Sequence, residues 1–255
     1  LIIDFGFTEG YKNTSSTKKS GNKSHFFSQF VKKFKSKKGS DNELKLSLQK
    51  VSNKKYLKLY KIKNNLVNYE SDILENSLYF SHENEDLFLG LKASAFENLT
   101  ENNTNDQYEY ILPDIILDKN LFSSDKYGYA DLQSNLIFHN FETNKFTKFF
   151  INDIDWKYKK FNYSSGLTGH LLGKLKNVNY EAKNTSAYKA DTTHEIFGAI
   201  GYLSEISLFK KIKDNSKHFL TPKMLIRYAP GHMRKETSNT RINPSNVFTL
   251  DRLNT

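Results

Sequence analysis

Hydrophobic and polar residues alternate with period two along most of this chain. The longest run is residues 194–209, HEIFGAIGYLSEISLF, with Ile196, Gly198, Ile200, Tyr202, Ile206 and Leu208 on one side. Glu195, Phe197, Ala199, Gly201, Leu203, Glu205, Ser207 and Phe209 fall on the other. Period two marks a strand whose faces meet different surroundings. At about 3.3 Å per residue the run reaches roughly 50 Å, whereas a soluble strand is usually about 5–6 residues long.

The same pattern recurs. LIIDFGF puts Ile3, Phe5 and Phe7 in phase, KSHFFSQFVKKF puts Phe26, Phe30 and Phe34 in phase, and ELKLSLQ sets Leu44, Leu46 and Leu48 against Lys45, Ser47 and Gln49. DLFLGLKASAF, YADLQSNLIFHNF, NDIDWKYKKF, GLTGHLLGKLKNVNY and FLTPKMLIRY follow, with KKYLKLYKI and NSLYFSH shorter and less regular. In YEYILPDIIL, Pro113 predicts a strand end or a bulge. The count is about 11 or 12 strands, separated by polar breaks rich in Asn, Ser, Lys and Gly. Two windows compete as short helical turns: SDILENSLYF, with a cap at Ser71, and NPSNVFTLDRL, with Val247, Leu250 and Leu253 three apart. No fixed-period repeat supports a propeller or solenoid.

Two solvents suit such strands. A soluble sandwich turns one face to its core; a transmembrane barrel turns it to lipid. Lengths of 12 to 16 residues, aromatic residues near strand ends (Tyr127 and Tyr129, Phe149 and Phe150, Tyr158 to Phe161) and strongly polar opposite faces favour lipid. Connections of alternating short and long length agree with a barrel. The fold class expected is therefore all-β, an antiparallel transmembrane barrel wall that is open in this segment.

Composition sharpens the picture modestly. Hydrophobic residues make up 37% of the 255, and aromatics 14%, so rings supply more than a third of the apolar residues. A disordered chain would be aromatic-poor. The net charge of +10 comes largely from scattered lysines, with only Arg227, Arg234, Arg241 and Arg252 as arginines. KKFKSKK reads as a strand end entering a loop, and nothing resembles a nucleic-acid recognition element. With no cysteine, disulfides, Cys metal sites and thiol catalysis are ruled out within this segment. No run of 18 apolar residues makes a membrane helix. Beginning at Leu1 and ending on LDRLNT, the chain reads as an internal piece of a longer protein.

More specific motifs lie near the C-terminus. LTPKMLIRYAPGHMRKE carries L-T-P-K at Leu220, Thr221, Pro222 and Lys223, then R-Y-x-P at Arg227, Tyr228 and Pro230. RINPSNVFTLDRLN supplies N-x-F-x-L-x-R-L at Asn246, Phe248, Leu250, Arg252 and Leu253. With YEYILPDI (residues 108–115), DFGFTEGYKNTSSTKKSGNKSH and VSNKKYLKLY, the chain resembles the barrel of the LptD family, the lipopolysaccharide-assembly or organic solvent tolerance proteins. The resemblance implies a Gram-negative outer-membrane barrel of 26 strands, to which residues 1–255 contribute a partial wall. It implies the lipoprotein LptE in the lumen, a periplasmic Lpt bridge reached through a jelly-roll domain outside this segment, and outer-membrane lipids around the wall. The implied activity is insertion of lipopolysaccharide into the outer leaflet, without catalysis and without a cofactor.

The candidate residues are basic ones opposite the lipid-type face: His170, Lys174, Lys176 and Arg227, which would line the lumen and meet phosphates or acidic sugars of the cargo. Solvation of an inward face is the plainer reading of each. The seven histidines are dispersed, with no HExxH or compact ligand set, and there is no G-x-S-x-G elbow or P-loop Lys-Ser/Thr pair, so no catalytic, cofactor or metal site is predicted. The alternatives from other classes are a passive porin-like or substrate-gated channel, supported by a constriction loop folded inward, and a soluble all-β glycan-binding module. Produced alone, residues 1–255 should aggregate through their open strand edges. A cooperative thermal transition in detergent-free buffer would count against the membrane assignment.

Overall fold

A computed structural model describes residues 1–8, 23–36, 39–100, 107–142, 144–211, 217–230, 244 and 247–250. Its strands are β1 (Ile2–Thr8), β2 (Lys23–Lys35), β3 (Asp41–Val51), β4 (Ile73–Glu83), β5 (Leu87–Asn98), β6 (Tyr108–Ser124) and β7 (Gly128–Phe141). They continue with β8 (Lys145–Lys157), β9 (Phe161–Asn162), β10 (Leu167–Lys183), β11 (Thr193–Ile206), β12 (Leu208–Lys211), β13 (Lys217–Leu220) and β14 (Lys223–Tyr228). Twelve form one sheet in the order β1-β2-β3-β4-β5-β6-β7-β8-β10-β11-β14, with β9 paired to β10, and β12-β13 form a separate ribbon. The fold is all-β and antiparallel, as the alternation predicts, and among the described residues no pairing joins β1 to β14.

The chain divides into two compact units, Leu1–Leu117 with Asn135–Phe149 and Tyr180–Thr192, and Asp118–Ser134 with Phe150–Asn179 and Thr193–Thr255. In the first, an unslipped register carries each face across neighbouring strands. Phe5 pairs with Phe26, and the rows Phe30–Leu46–Leu78–Ala93 and Lys32–Leu44–Phe80–Leu91 run over β2 to β5. The alternate rows are polar: Gln29–Ser47–Ser77–Ser94 and Lys33–Glu43–Ser81–Gly90. The apolar face is not buried, for Phe5 is 67% exposed and Leu78 49%.

The buried hydrophobic cluster of this unit lies beneath the connection from β3 to β4. Phe27, Val51, Tyr56, Leu57, Val67, Leu74 and Leu99 form a cluster there, and Phe27, Leu57 and Leu74 are the largest fully buried side chains among the described residues. Helix α1 (Tyr56–Tyr60) supplies two of the seven. The sequence reading of KKYLKLYKI as a strand is corrected here: in YLKLY the adjacent Tyr56 and Leu57 both turn into the cluster, which a strand's opposing faces would prevent. A polar strut joins this cap to the edge strand. His25 Nδ1 and the Tyr56 hydroxyl share a 3.0 Å hydrogen bond, His25 Nε2 lies 3.4 Å from Asp4, and Asn64 donates to the other Asp4 oxygen. Gly6 makes room for the His25 ring, which a Cβ at that position would strike. Burial pushes the Tyr56 phenol above its ordinary range, keeping it protonated.

Three other expectations change. SDILENSLYF is strand β4 rather than a helical turn, since its side chains alternate in register with β3 and β5. Pro113 does not end its strand, since β6 runs on past it to Ser124; of the two readings, strand end or bulge, the first is overturned. The run 194–209 is broken after Ile206. The pairs Ile200–Tyr228 and Leu208–Leu220 belong to one hairpin register, interrupted opposite Thr221 and Pro222, where Pro222 has no N–H to give and its carbonyl accepts from Ile206 at 3.2 Å. NPSNVFTLDRL lies mostly outside the described residues; Val247 and Phe248 are in a turn.

Leu57→Ala should cost about 2–5 kcal/mol locally, as for other buried leucines. The expected readout is faster tryptic cleavage after Lys54, Lys55 and Lys58 in the folded full-length protein, with strand content by circular dichroism retained.

Candidate functional site

Given two faces, the one able to handle a polar or charged molecule is the polar one. In the first unit it carries matched charges on adjacent strands: Lys33 with Glu43 at 3.3 Å, Lys35 with Asp41 at 3.5 Å, and Lys92 with Glu75 at 2.9 Å. Ser47, Ser77 and Ser94 fill the row between them.

In the second unit glycine contacts fix which residues share a face. Gly169 lies against the Tyr202 ring and Gly173 against Trp156, so the odd positions of β10 share a side with Tyr202 and Trp156. Tyr202 pairs with Ile226 and Ile200 with Tyr228, and Ile200, Ile226 and Tyr228 are exposed. This is the apolar side. His170, Lys174 and Lys176 take the even positions of β10 and point to the opposite, polar side. Arg227 pairs with Gly201 and shares that side from β14.

The structure thus places all four predicted residues on one face but gives them different surroundings. Lys174 Nζ donates to both Asp155 oxygens at 3.0 and 3.1 Å, and its side chain is only 8% exposed. Lys176 lies 3.5 Å from Asp153, with both side chains largely buried. Arg227 Nε donates to the Leu250 carbonyl at 3.1 Å. His170 is apart from these, and its Nδ1 is buried with no hydrogen-bond partner among the described residues. Two of the four predicted basic residues, Lys174 and Lys176, are therefore already matched by β8 carboxylates. The sequence does carry that signal, since Asp153 and Asp155 share the polar phase of NDIDWKYKKF.

Two features were not anticipated. Residues 247–250 lie on the polar face, with Leu250 against Gly201 and Leu225, where the missing side chain of Gly201 leaves room. On the apolar side, small polar groups link into a seam. Ser134 donates to Asn152 at 2.6 Å, Asn152 to Asn177 at 3.4 Å, Asn179 to Asn177 at 2.6 Å, and Asn179 shares a 2.8 Å hydrogen bond with His194. Among the described residues no group of three or more His, Cys, Asp or Glu side chains is placed to hold a metal. Asn246, Arg252 and Leu253 of the C-terminal motif lie outside the described residues.

Comparison of the chain with protein-family models and with curated proteins gives no match.

The Lys176–Asp153 pair generates a double-mutant test. Lys176→Met or Asp153→Leu alone leaves a charge poorly compensated and should destabilise by about 3–5 kcal/mol, while the double substitution should recover much of that loss. Denaturant unfolding of the full-length protein in detergent checks it, and simple additivity would show that the two residues do not act as a pair.

Proposed function

We propose that this chain is part of the wall of an outer-membrane β-barrel that passes lipopolysaccharide to the outer leaflet, in the manner of the LptD family. One observation supports the membrane part best: an apolar face that is exposed over neighbouring strands and bounded by polar groups at both ends. On β3, Leu44, Leu46 and Leu48 sit between Asn42, which hydrogen-bonds His82 at 2.8 Å, and Lys50, which meets Glu97 at 3.0 Å. Asn42 to Lys50 spans about 27 Å along the strand, shortened to about 20 Å by a tilt of about 40°, against an apolar band about 25 Å tall in outer-membrane barrels. On β10 the apolar stretch from Leu167 to Leu175 is nine residues, and a tilted strand needs about 9–11 to cross the hydrocarbon.

The transport part rests on the motifs around Leu220–Pro230 and Asn246–Leu253. In this reading the sugar moves along the polar face, the lipid tails stay outside, LptE and the periplasmic bridge act on the assembled barrel, and no bond of the cargo changes. A passive channel is the second reading, favoured by the placement of residues 247–250 on the polar face beside Gly201 and Arg227.

Neighbouring positions of β3 separate membrane from water. Leu46→Arg should cost about 2–4 kcal/mol in lipid, whereas Ser47→Arg, one residue on, should be tolerated. Heat-modifiable migration of the full-length protein from outer membranes reads the first as loss of the folded band; equal behaviour of the two variants would defeat the membrane reading. Depletion of the protein should then stop new lipopolysaccharide reaching the cell surface. A steady single-channel conductance that rises when residues 247–250 are deleted, with surface lipopolysaccharide unchanged by depletion, would select the passive channel.

A further inference from the structure

The cap over the ends of β3 and β4 reaches the apolar side of the sheet. Leu74 pairs with Glu97 in the same phase as Leu78 with Ala93. Leu78 is 49% exposed, whereas Leu74 is fully buried in the cluster with Tyr56 and Leu57 of α1, so the cap covers that side at the strand end. Lys50, in phase with Leu44, Leu46 and Leu48, meets Glu97 there at 3.0 Å. One step past the last ladder pair, Ile73–Asn98, the Leu99 N–H donates to the Asp72 carbonyl at 2.7 Å. Asp72 and Leu99 therefore continue the phase of Leu74 and Glu97. Helix α1 divides its residues between two sides. Tyr56 meets His25 of β2 and Tyr60 meets Thr8 of β1. On the other side Lys58 pairs with Asp72, and Lys54, Lys55, Lys58 and Leu59 line an open hollow with Asp72 and Leu99.

We propose that residues 50–63 are an interfacial anchor that binds the anionic headgroups of the lipid surface around the wall. The proposal rests on the membrane reading and adds to it the element that meets the headgroups. Residues 50–63 hold six lysines, and no carboxylate occurs from Lys50 to Tyr69. Glu97 and Asp72 partner Lys50 and Lys58, while Lys61 and Lys63 lie exposed on the connection. Leu59 is 59% exposed among these cations. A single exposed leucine is ordinary on a surface facing water. This one lines the hollow with Leu99, at the level where the apolar stretch of β3 ends. An apolar tip ringed by ammonium groups suits the headgroup boundary, where the leucine enters the acyl region and lysine stems lie along it with their charges among the phosphates. The excess of cations selects an anionic surface over a zwitterionic one. The segment is also set before any lipid arrives. Tyr56 and Leu57 root it in the cluster, Lys61 ends α1 in the left-handed conformation, and Asn64 Oδ1 accepts from the Leu66 and Val67 amides at 2.8 Å each.

The test places the full-length protein in nanodiscs of phosphatidylcholine, alone or mixed with phosphatidylglycerol, and follows amide hydrogen exchange over residues 53–63. Exchange there should slow by about fivefold or more in the mixed lipid, and the difference should fade near about 0.5 M salt. Replacing Lys54, Lys55, Lys61 and Lys63 together by Gln should remove the difference, and replacing the same four by Arg should keep it. Lys61→Gln with Lys63→Gln should give a smaller loss and keeps the test open if the fourfold variant does not fold. Leu59→Asn should weaken the slowing without changing strand content. Residues 84–86, the turn at the other end of β4, should exchange alike in both lipids. Equal slowing at both places would be a general effect of surface charge and would overturn the anchor. Equal exchange of residues 53–63 in the two lipids would overturn it too, with the membrane reading left standing. A full-length protein that enters neither disc and stays folded in detergent-free buffer would overturn the membrane reading, and the anchor with it.

Discussion

Everything in this fold depends on one geometrical constraint: neighbouring residues of a strand point to opposite sides, so each strand must keep its phase with the next. A slip of one residue at any pairing would carry leucines into the polar rows and lysines into the apolar ones. From β1 to β5 no slip occurs, and Phe30, Leu46, Leu78 and Ala93 stand in one row beside Gln29, Ser47, Ser77 and Ser94 in the next. The hydrophobic effect normally rewards such order by burying the apolar side under another layer. Here Phe5, Phe7, Phe26 and Leu78 remain exposed among the described residues, and that exposure is what the proposal of a lipid-facing wall answers.

Electrostatics then divides the other face. A lysine opposite an aspartate in the next strand is both satisfied and held, as Lys174 is by Asp155, and such a group stiffens the wall more than it attracts a ligand. Around Glu205 the pairing is shared instead, with Lys223 at 3.3 Å and Lys160 at 3.8 Å on one carboxylate and both lysines partly exposed. The distinction lies in the pairing across strands. A count of basic residues along the sequence does not reveal it.

That is also the boundary of what could be read from the residues alone. Period-two runs located the long strands and their apolar sides, because alternation is a property of each strand by itself. The phases of His170, Lys174, Lys176 and Arg227 follow from the same rule. Features created by a neighbour were hidden. YLKLY suits either period until Phe27 and Val51 are seen beneath it; the break after Ile206 comes from Pro222 on the opposite strand; and the matching of Lys176 by Asp153 needs β8 beside β10. The seat of Leu250 over Gly201 joins residues distant along the chain, and no local pattern announces it.

The seam of Ser134, Asn152, Asn177, Asn179 and His194 shows how a two-sided sheet sets the height of its apolar side. An amide facing hydrocarbon costs several kcal/mol when unsatisfied, about the gain from burying one or two large apolar side chains. Linking the amides to one another lowers that cost without removing it, since a linear chain of side chains leaves donors over: Asn177 turns one to the Glu195 carbonyl and Asn179 one to that of Phe150. Such a seam is stable where polar headgroups can take the remainder. Along β10 it begins at Asn177, directly after the nine residues ending at Leu175, which is where the proposed lipid-facing stretch would end on that strand. Under that proposal the 17 residues of β10 divide into a part whose length lipid would set and a part beyond it, including Asn177, Asn179 and Glu181, whose odd-numbered face is polar.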